Sequence, residues 1–458
     1  MKKLKHITHK YLALLMMLMI ILSAVSPVFA ADAVTTSEPV ITYSPWAISV
    51  LNEAEKYGLY PIDWYYDAFV TQVTEERIDA LILNFDEKLS LVASKSDFKA
   101  LPESGKHDRA DVLTRLYNVL GSYNLVTSGD AMAYMQLAGI VKGTPRGLEL
   151  NKACSTEQAV IFTTKAVQAA YDALEAGGKG VFWKVQKGGN TVYLLGSIHI
   201  GSTELYPLDD VLTDAFNEAD ALLVEADIIN AQEGMAYYQS KAFYTDGTTI
   251  KDHVTPAVYA DILKIFEKYK LDPATYGLLK PWSLANTLNT LAMSSDTEGP
   301  ATNANLGVDV YFLVNAYLTG KPIIELEGLP YQTDMFNNLS ETFQATYLNS
   351  AMKEILNPSV DASVSSEALL NEWLELWRNG DLENFKKSFS GATSKEDNEL
   401  NTMLFGKRDV DMTAKIKTLL DAEGSATYFV VVGAGHYINS GSVVDLLKEK
   451  GYKVEWMY

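Results

Sequence analysis

Two histidines follow the same kind of apolar segment in distant parts of the chain. His199 comes after VYLLGSI, and His436 comes after YFVVVGAG. Each lies three residues after a glycine, Gly196 in the first segment and Gly433 in the second. A glycine at a strand end allows a tight exit in which the backbone comes close to a ligand. The matched pair therefore predicts a site that uses two imidazole rings.

Two glutamates occupy comparable positions at the ends of apolar segments. Glu225 ends ALLVE, and Glu327 ends PIIELE. Because sites in open α/β sheets form at the carboxyl ends of parallel strands, we expect His199, Glu225 and His436 to share one cleft. Imidazole and carboxylate ligands suit a divalent transition metal, with Mn, Co and Zn all open. The same groups can also activate water without a metal, which the sequence leaves as an alternative.

The second part of the chain carries a series of further motifs in order. They are LLGSIHIGSTELYPL, DALLVEAD, LLKPWSLANTL, GVDVYF, IIELEGLPYQ, KRDVDMTAKI and FVVVGAGHYINSGSVVDLLKEKGYKV. From about 181 to 458 the sequence resembles the TraB/GumN family, which includes the Tiki-type membrane proteases and the pheromone-shutdown proteins. The resemblance implies a metal-dependent hydrolase, with peptide hydrolysis as the expected reaction.

The same resemblance implies roles for individual residues. His199, His436 and Glu225 match the two Gly-x-x-His motifs and the strand-end glutamate of the family, so they would be catalytic residues and metal ligands. Glu327 and Gln332 match its Leu-Glu-and-Gln element, and we expect them to bind substrate. Whether Glu225 acts as a ligand or as the general base stays open at this point.

Two further residues are candidates for the site. Arg408 matches an Arg-Asn pair of the family and is expected to be catalytic, since a permanent cation can hold a substrate carboxylate or steady a developing oxyanion. Asp409 stands where the family has the asparagine, so no role is predicted for that side chain. Asp309, in GVDVYF, either enters the site as a substrate-binding residue or serves as a helix cap or a buried hydrogen-bonding group.

The elements that must position these residues alternate between short strands and helices. This pattern predicts an α/β domain over 177–458, with a mixed, largely parallel sheet and helices on its faces. VFWKVQKGGNTVYLLGSIH predicts a hairpin with a Gly-Gly-Asn turn. The strand–helix–strand unit from His199 to Glu225 predicts a right-handed crossover that makes its two strands parallel.

Residues 43–176 predict a small all-helical repeat domain. A helix, a glycine-containing loop, a polar cap and a second helix occur twice, with Thr74 as one expected N-cap and Ser155 with Gln158 as a capping box. Pieces such as PWAISVLNEAEKYGL with VTEERIDALI resemble S-layer homology repeats, a family that anchors exported proteins to cell-wall polysaccharide. The resemblance implies wall attachment, and a packing role for two degenerate repeats is the alternative.

Residues 1–30 have the basic start, the apolar stretch and the small-x-small ending of a secretory signal peptide cleaved after Ala30, and 31–42 form a polar linker. An uncleaved membrane anchor is the alternative. Because the segment has four lysines and no acidic residue, its removal would change the net charge from −20 to −24. This charge argues against a nucleic-acid-binding protein. We therefore expect a secreted or wall-associated protein. The chain has a single cysteine, Cys154, so it cannot form an internal disulfide.

The sequence thus supports two functions of different classes. The first is an exported metal-dependent hydrolase that acts on a peptide or protein. The second is a non-catalytic peptide-binding or sequestering protein that uses the same cleft, in either case with possible attachment to the wall polysaccharide. Metal content separates the two, because only the first requires a bound ion.

Overall fold

The computed structural model describes residues 43–458 apart from Ala68, Ser128 and the segments 294–303, 358–365 and 393–401. The predicted signal peptide at 1–30 and the linker at 31–42 lie outside the described residues. Within the described part, no helix combines the length and the apolar character needed to cross a bilayer. The chain divides into two compact units. We call 43–178 with Thr203–Asp210 the helical unit, and Lys179–Ser202 with Val211–Tyr458 the sheet unit.

The helical unit forms the helices that the periodicity predicts. They are α1 (Ile48–Lys56), α2 (Glu75–Ser90), α3 (Arg109–Ser122), α4 (Ala131–Leu137) and α5 (Thr156–Leu174). The Thr74 hydroxyl accepts a hydrogen bond from the backbone N–H of Arg77 at the start of α2. Ser155 and Gln158 form both bonds of a capping box at the start of α5. Both predicted caps are therefore confirmed, while the relation to wall-binding repeats stays a prediction.

The rest of the chain supplies the strands and helices of the sheet unit. The strands are β1 (Val181–Lys187), β2 (Asn190–Ser197), β3 (Ala221–Val224), β4 (Ile323–Glu325), β5 (Thr427–Gly433) and β6 (Val454–Trp456). The helices are α6 (Asp210–Glu218), α7 (Gln232–Ala242), α8 (Ile250–His253), α9 (Pro256–Tyr269), α10 (Pro273–Tyr276), α11 (Pro281–Met293), α12 (Val308–Thr319), α13 (Leu329–Asn337), α14 (Glu341–Leu356), α15 (Ser366–Arg378), α16 (Leu382–Ala392), α17 (Lys407–Asp421), α18 (Gly435–Ile438) and α19 (Val443–Glu449).

The six strands form one mixed sheet in the order β4-β3-β5-β2-β1-β6. Strands β2, β3, β4 and β5 run parallel, while β1 is antiparallel to both β2 and β6. The predicted mixed, largely parallel sheet and the hairpin are confirmed. Strands β2 and β3 have the same direction, as expected from the crossover, but β5 from the end of the chain lies between them. This insertion places the second histidine segment between the first histidine segment and Glu225.

Strands β2 and β3 are buried along their whole length, and β5 is buried from Phe429 onward, because elements cover both faces of the sheet. One face carries a cluster of rings: Phe182 stacks on Tyr193, and Phe429 contacts Phe216 and Phe312 at centroid distances of 5.7 and 4.8 Å. Burying each such side chain contributes about 1.5–3 kcal/mol. This packing fixes the strands from whose ends the candidate residues emerge.

Candidate functional site

The three central strands end at one edge of the sheet. Ser197 at the end of β2 is in register with Gly433 at the end of β5, and Val224 of β3 is in register with Val431 of β5. His199, Glu225 and His436 follow β2, β3 and β5 within three residues. Parallel strands leave a sheet at the same edge, so all three residues emerge there.

Gly196 is required by close packing next to this edge. A Cβ atom on Gly196 would lie 2.5 Å from Cγ2 of Val181 and 2.9 Å from Cα of Ala434, which is too close for any other residue. Its carbonyl oxygen accepts a hydrogen bond of 2.6 Å from the indole of Trp377. The glycine expected to allow a close approach of a ligand is thus explained here by contacts within the chain.

Glu225 is a buried carboxylate with most of its hydrogen-bonding capacity in use. Oε1 accepts the backbone N–H of Gly433 at 2.7 Å, and Oε2 accepts Nη2 of Arg408 at 2.9 Å and Nε2 of Gln332 at 3.0 Å. Burial by itself raises the pKa of Glu225, but the charges of Arg408 and the two histidines outweigh it and lower the pKa to about 2. Glu225 is therefore ionised at any physiological pH.

Arg408, near the start of α17, joins Glu225 to Glu327. Its Nε and Nη2 donate to the two carboxylate oxygens of Glu327 at 2.6 and 2.7 Å, and Nη1 donates to the carbonyl oxygen of Leu404 at 2.9 Å. Gln332 donates to Glu327 as well, at 3.2 Å. The predicted residues Arg408, Glu327 and Gln332 are therefore brought together, but in this structure the arginine donors serve acceptors of the chain itself.

His436 is held firmly by two neighbours. Its Nδ1 lies 2.6 Å from Oδ1 of Asp409, which is 1 % exposed, and the ring packs edge-on against Phe405 at 5.4 Å between centroids. The other ring nitrogen, Nε2, lies 3.8 Å from Oε1 of Glu225. A carboxylate on one imidazole nitrogen orients the other nitrogen toward a reacting group or ligand.

His199 is paired with Asp309 in a looser way. Close backbone packing brings the two residues together. The N–H of Val308 donates to the Ile198 carbonyl oxygen at 3.0 Å. Gly307 lies so close to His199 that a Cβ atom on the glycine would be 2.4 Å from the His199 carbonyl oxygen. Nδ1 of His199 is 2.9 Å from Oδ1 of Asp309, but the two atoms are not aligned for a hydrogen bond. Burial lowers the pKa of His199, but the close carboxylate of Asp309 and the charge of Glu225 together more than offset this, so the pKa is raised.

Buried polar atoms without hydrogen-bond partners concentrate at this sheet edge. Among the described residues ten such side-chain atoms occur, and six of them belong to five residues of this region: Ser197, His199, Asp309, Gln332 and Tyr437. Buried polar groups in folded proteins are nearly always paired, so a cluster of unpaired ones marks a place where a ligand or water binds. This clustering supports a functional site independently of any sequence motif.

The imidazole nitrogens and carboxylate oxygens at this edge are ligand types that suit a divalent transition metal, but their spacing only partly fits a shared ion. Two ligand atoms that each lie about 2.1 Å from an ion are at most about 4.2 Å apart, and the 3.8 Å between His436 Nε2 and Glu225 Oε1 is within that limit. Within the described part of the chain, no group of three or more His, Cys, Asp or Glu side chains is arranged to hold one ion. His436 Nε2 and Glu225 Oε1 are therefore the pair whose spacing fits a shared ion, while His199 as a third ligand stays a prediction.

Asp409 is the site residue for which the sequence predicted no role. It follows Arg408 directly, so one turn of α17 supplies both the partner of Glu225 and the partner of His436. The available signal was an acidic residue beside a predicted site arginine, at the start of a helix. Aspartate is also common in the first turn of helices, where it stabilises the N-terminal end of the helix dipole. Its presence there therefore does not by itself indicate a site residue.

Comparisons with known proteins identify the family of this chain. Residues 181–456 match the model of the TraB/PrgY/gumN family, and because this match spans more than half of the chain, the chain belongs to that family. It is 23 % identical over 261 residues to the uncharacterized protein YbaP of Escherichia coli, which covers 57 % of this chain and 89 % of YbaP. No solved structure is significantly similar to the chain.

More distant similarity links the chain to proteins named as metalloproteases. It is 21 % identical over 313 residues to a metalloprotease TIKI homolog of the sponge Amphimedon queenslandica, covering 59 % of this chain and 60 % of that protein. A shorter match of 36 % over 59 residues relates it to metalloprotease TIKI2 of Danio rerio, covering 13 % of this chain and 11 % of TIKI2. These distant similarities suggest a metal without locating one.

Proposed function

We propose that this member of the TraB/PrgY/gumN family is a metal-dependent hydrolase that cleaves peptide bonds. The observation that carries the proposal is the arrangement at the sheet edge: an ionised, buried Glu225 and two histidines follow neighbouring strands, and each histidine has a buried aspartate at its Nδ1. A carboxylate and an oriented imidazole form a minimal unit for activating water.

His436 and Glu225 would hold a Mn, Co or Zn ion, and Asp409 would keep His436 in the required tautomer. When bound, such an ion makes a water molecule nucleophilic near neutral pH and polarises a carbonyl group. Glu225 suits a ligand better than a general base. Its pKa of about 2 is far below working pH, and three of its lone-pair positions are already in use.

His199 is placed to move the proton. Asp309 lies at its Nδ1, and its Nε2 has no hydrogen-bond partner among the described residues, so Nε2 can accept a proton from the attacking water. The water oxygen adds to the carbonyl carbon, the C–N bond breaks, and the proton passes from Nε2 to the leaving amine. Arg408 holds Glu225 and Glu327 in position throughout.

The test uses the full exported chain and measures metal stoichiometry together with cleavage of an unbiased peptide library. The parent is expected to bind about one ion and to cleave, and Glu225→Gln is expected to lose metal and turnover together. Glu423→Gln, at an exposed position, is the matched control and should change neither. Turnover that persists in a chelator would refute the metal requirement.

The non-catalytic alternative has a clear signature in the same experiment. A parent that binds library peptides, binds no metal and cleaves nothing would replace the hydrolase by a sequestering protein. Export, cleavage after Ala30 and attachment of the helical unit to wall polysaccharide stay predictions. Co-sedimentation of the mature protein with purified cell walls tests the attachment directly.

A further inference from the structure

The side-chain amide of Gln332 has one atom that the hydrogen bonds around Glu225 do not use. Gln332 lies in α13 and is 3 % exposed. Its Nε2 donates to Oε2 of Glu225 at 3.0 Å and to Oε2 of Glu327 at 3.2 Å. Its Oε1 is buried and has no hydrogen-bond partner among the described residues. Buried polar atoms are nearly always paired, so an unpaired acceptor at the site requires an explanation.

The two carboxylates fix which way this amide points. An amide nitrogen donates up to two hydrogen bonds, whereas an amide oxygen only accepts them. The opposite orientation would place Oε1 of Gln332 against two carboxylate oxygens, and all three atoms would be acceptors. Because the two donated bonds also fix the plane of the amide group, Oε1 is held in one position.

Covalent geometry places this oxygen next to the proposed reaction centre. The oxygen and nitrogen of one amide group are about 2.3 Å apart, so Oε1 of Gln332 lies within about 5.3 Å of Oε2 of Glu225. The other oxygen of that carboxylate is 3.8 Å from Nε2 of His436. An extended peptide bound at this pair carries a main-chain N–H about every 3.5 Å. An N–H within about three residues of the cleaved bond is therefore in reach of Gln332.

The other two residues predicted to bind substrate have different contacts. Both carboxylate oxygens of Glu327 accept hydrogen bonds from Arg408. Oδ1 of Asp309 lies 2.9 Å from Nδ1 of His199. Glu327 therefore orients Gln332 and Arg408, while the amide oxygen of Gln332 stays available. An uncharged acceptor suits a neutral N–H, which brings no further charge into a site that already buries several.

We infer that Oε1 of Gln332 accepts a hydrogen bond from a main-chain N–H of the substrate peptide, within about three residues of the cleaved bond. This assignment rests on the peptide hydrolysis proposed above and adds a determinant of its specificity. Proline has no main-chain N–H, so a substrate with proline at that residue leaves Oε1 buried without a partner. The protein should therefore discriminate against proline at one position near the cleaved bond.

The experiment removes the N–H from the substrate and the acceptor from the protein. In one peptide that the full-length parent cleaves, each main-chain N–H near the cleaved bond, except that of the bond itself, is replaced in turn by an ester oxygen. Each ester is compared with the amide peptide by kcat/KM. Gln332→Met removes the acceptor at nearly constant side-chain length. Gln344→Met is the matched control, because Gln344 also donates to two acceptors, the carbonyl oxygens of Asn337 and Leu339, away from the site.

In the parent, one ester should lower kcat/KM by about 10–100-fold, because an ester oxygen cannot donate to the buried acceptor of Gln332. In Gln332→Met that ester and the amide should be cleaved within about twofold of each other, as a double-mutant cycle requires of a direct contact. Gln344→Met should keep the discrimination of the parent.

A second variant covers the loss of stability that Gln332→Met brings by removing two donated hydrogen bonds. Gln332→Lys keeps a donor for Glu225 and Glu327 but has no acceptor, so it should show the same loss of discrimination. If a variant no longer cleaves, the Kd values of its amide and ester peptides are compared instead.

Different results identify different failures. If the parent cleaves the amide peptide and no ester lowers kcat/KM by more than about threefold, the assignment of Gln332 is overturned while the hydrolase function stands. If an ester has the same effect in the parent and in both Gln332 variants, another residue binds that N–H, and the assignment is again overturned. Cleavage of library peptides with proline at every position near the cut also contradicts it. A parent that cleaves nothing refutes the proposed function and this assignment with it.

Discussion

Each unit of the protein contains a buried arginine surrounded by carboxylates, and the two clusters differ in how far those carboxylates reach into water. In the helical unit the side chain of Arg115 is 6 % exposed. Three of its partners are Glu75 at 2.9 Å, Asp79 at 3.2 Å and Glu103 at 3.4 Å, with side chains that are 49–67 % exposed. The fourth, Asp111 at 3.4 Å, is buried and also accepts backbone N–H groups of Ser104 and Gly105. Water screens the three exposed pairs, so each of those contributes little to stability.

In the sheet unit both members of each pair are buried. Arg408 is 1 % exposed, and its partners Glu225 and Glu327 are 2 % and 5 % exposed. Three buried charges cost a great deal of hydration, and their mutual hydrogen bonds, with those to Gln332 and to the backbone, offset that cost. The comparison teaches that similar residue types form an ion-pair cluster with mostly water-exposed carboxylates in one unit and a fully buried, electrostatically demanding site in the other.

The largest expected effect comes from a substitution that breaks the buried cluster around Arg408. Arg408→Met should lower the free energy of unfolding by about 3–5 kcal/mol, because two carboxylates stay buried without a cation. Arg115→Met should cost less, about 1–2 kcal/mol, since three of its four partners face water and the buried one, Asp111, keeps its backbone N–H donors. Urea unfolding of the full chain, followed by probes in each unit, measures both. Adding Glu225→Gln and Glu327→Gln to Arg408→Met should recover part of the loss, and equal losses in the two units would contradict the comparison.

A second test sharpens the comparison within the site. His436→Ala should cost about 1–3 kcal/mol in the metal-free protein, because Asp409 is left buried without its hydrogen-bond partner. His199→Ala should cost less, because neither of its ring nitrogens makes an aligned hydrogen bond in the described structure. Both variants should lose hydrolysis. Thermal unfolding in a chelator checks the order, and a larger loss for His199→Ala would show that the pair with Asp309 is structural.

A third test concerns the carboxylate behind His436. Asp409→Asn keeps an oxygen that can accept from Nδ1, so turnover should stay within about tenfold of the parent, whereas Asp409→Ala should lose about 10–100-fold in metal affinity or turnover. Isothermal titration with Mn, Co and Zn, together with peptide cleavage, measures both quantities. Equal behaviour of the two variants would remove Asp409 from the group that orients His436.

The smallest expected effect lies in the helical unit, where carboxylates face one another. Burial and the charges of Asp210 and Asp209 raise the pKa of Asp172 to about 6. A carboxyl whose pKa is raised in the folded state contributes stability that is complete below its unfolded pKa near 3.8 and is lost as pH rises through about 6. Asp172→Asn should therefore raise Tm slightly at pH 8 and leave it unchanged below about pH 4. A constant difference at all pH values would contradict this cause.

Local features of the fold were predictable because short-range patterns encode them. The Thr74 cap, the Ser155 capping box and the β1–β2 hairpin each depend on residues a few positions apart, and all three are confirmed. The position of β5 between β2 and β3 was not predictable from strand and helix order, because any parallel strand with a suitable apolar face can occupy that place. Only the packing of the whole sheet decides which strand lies between β2 and β3.

The sequence by itself determined which residues stand at strand ends: His199, Glu225 and His436 are predicted by apolar runs that stop beside them. Only the tertiary structure decided their partners. Arg408 meets Glu225 across 183 residues of chain, and Asp409 meets His436 across 27. No local period links such positions, and a charge at the start of a helix looks the same whether it faces water or a buried imidazole. Burial separates the two cases, since it makes each unpaired charge costly and so ties every site residue to a specific partner.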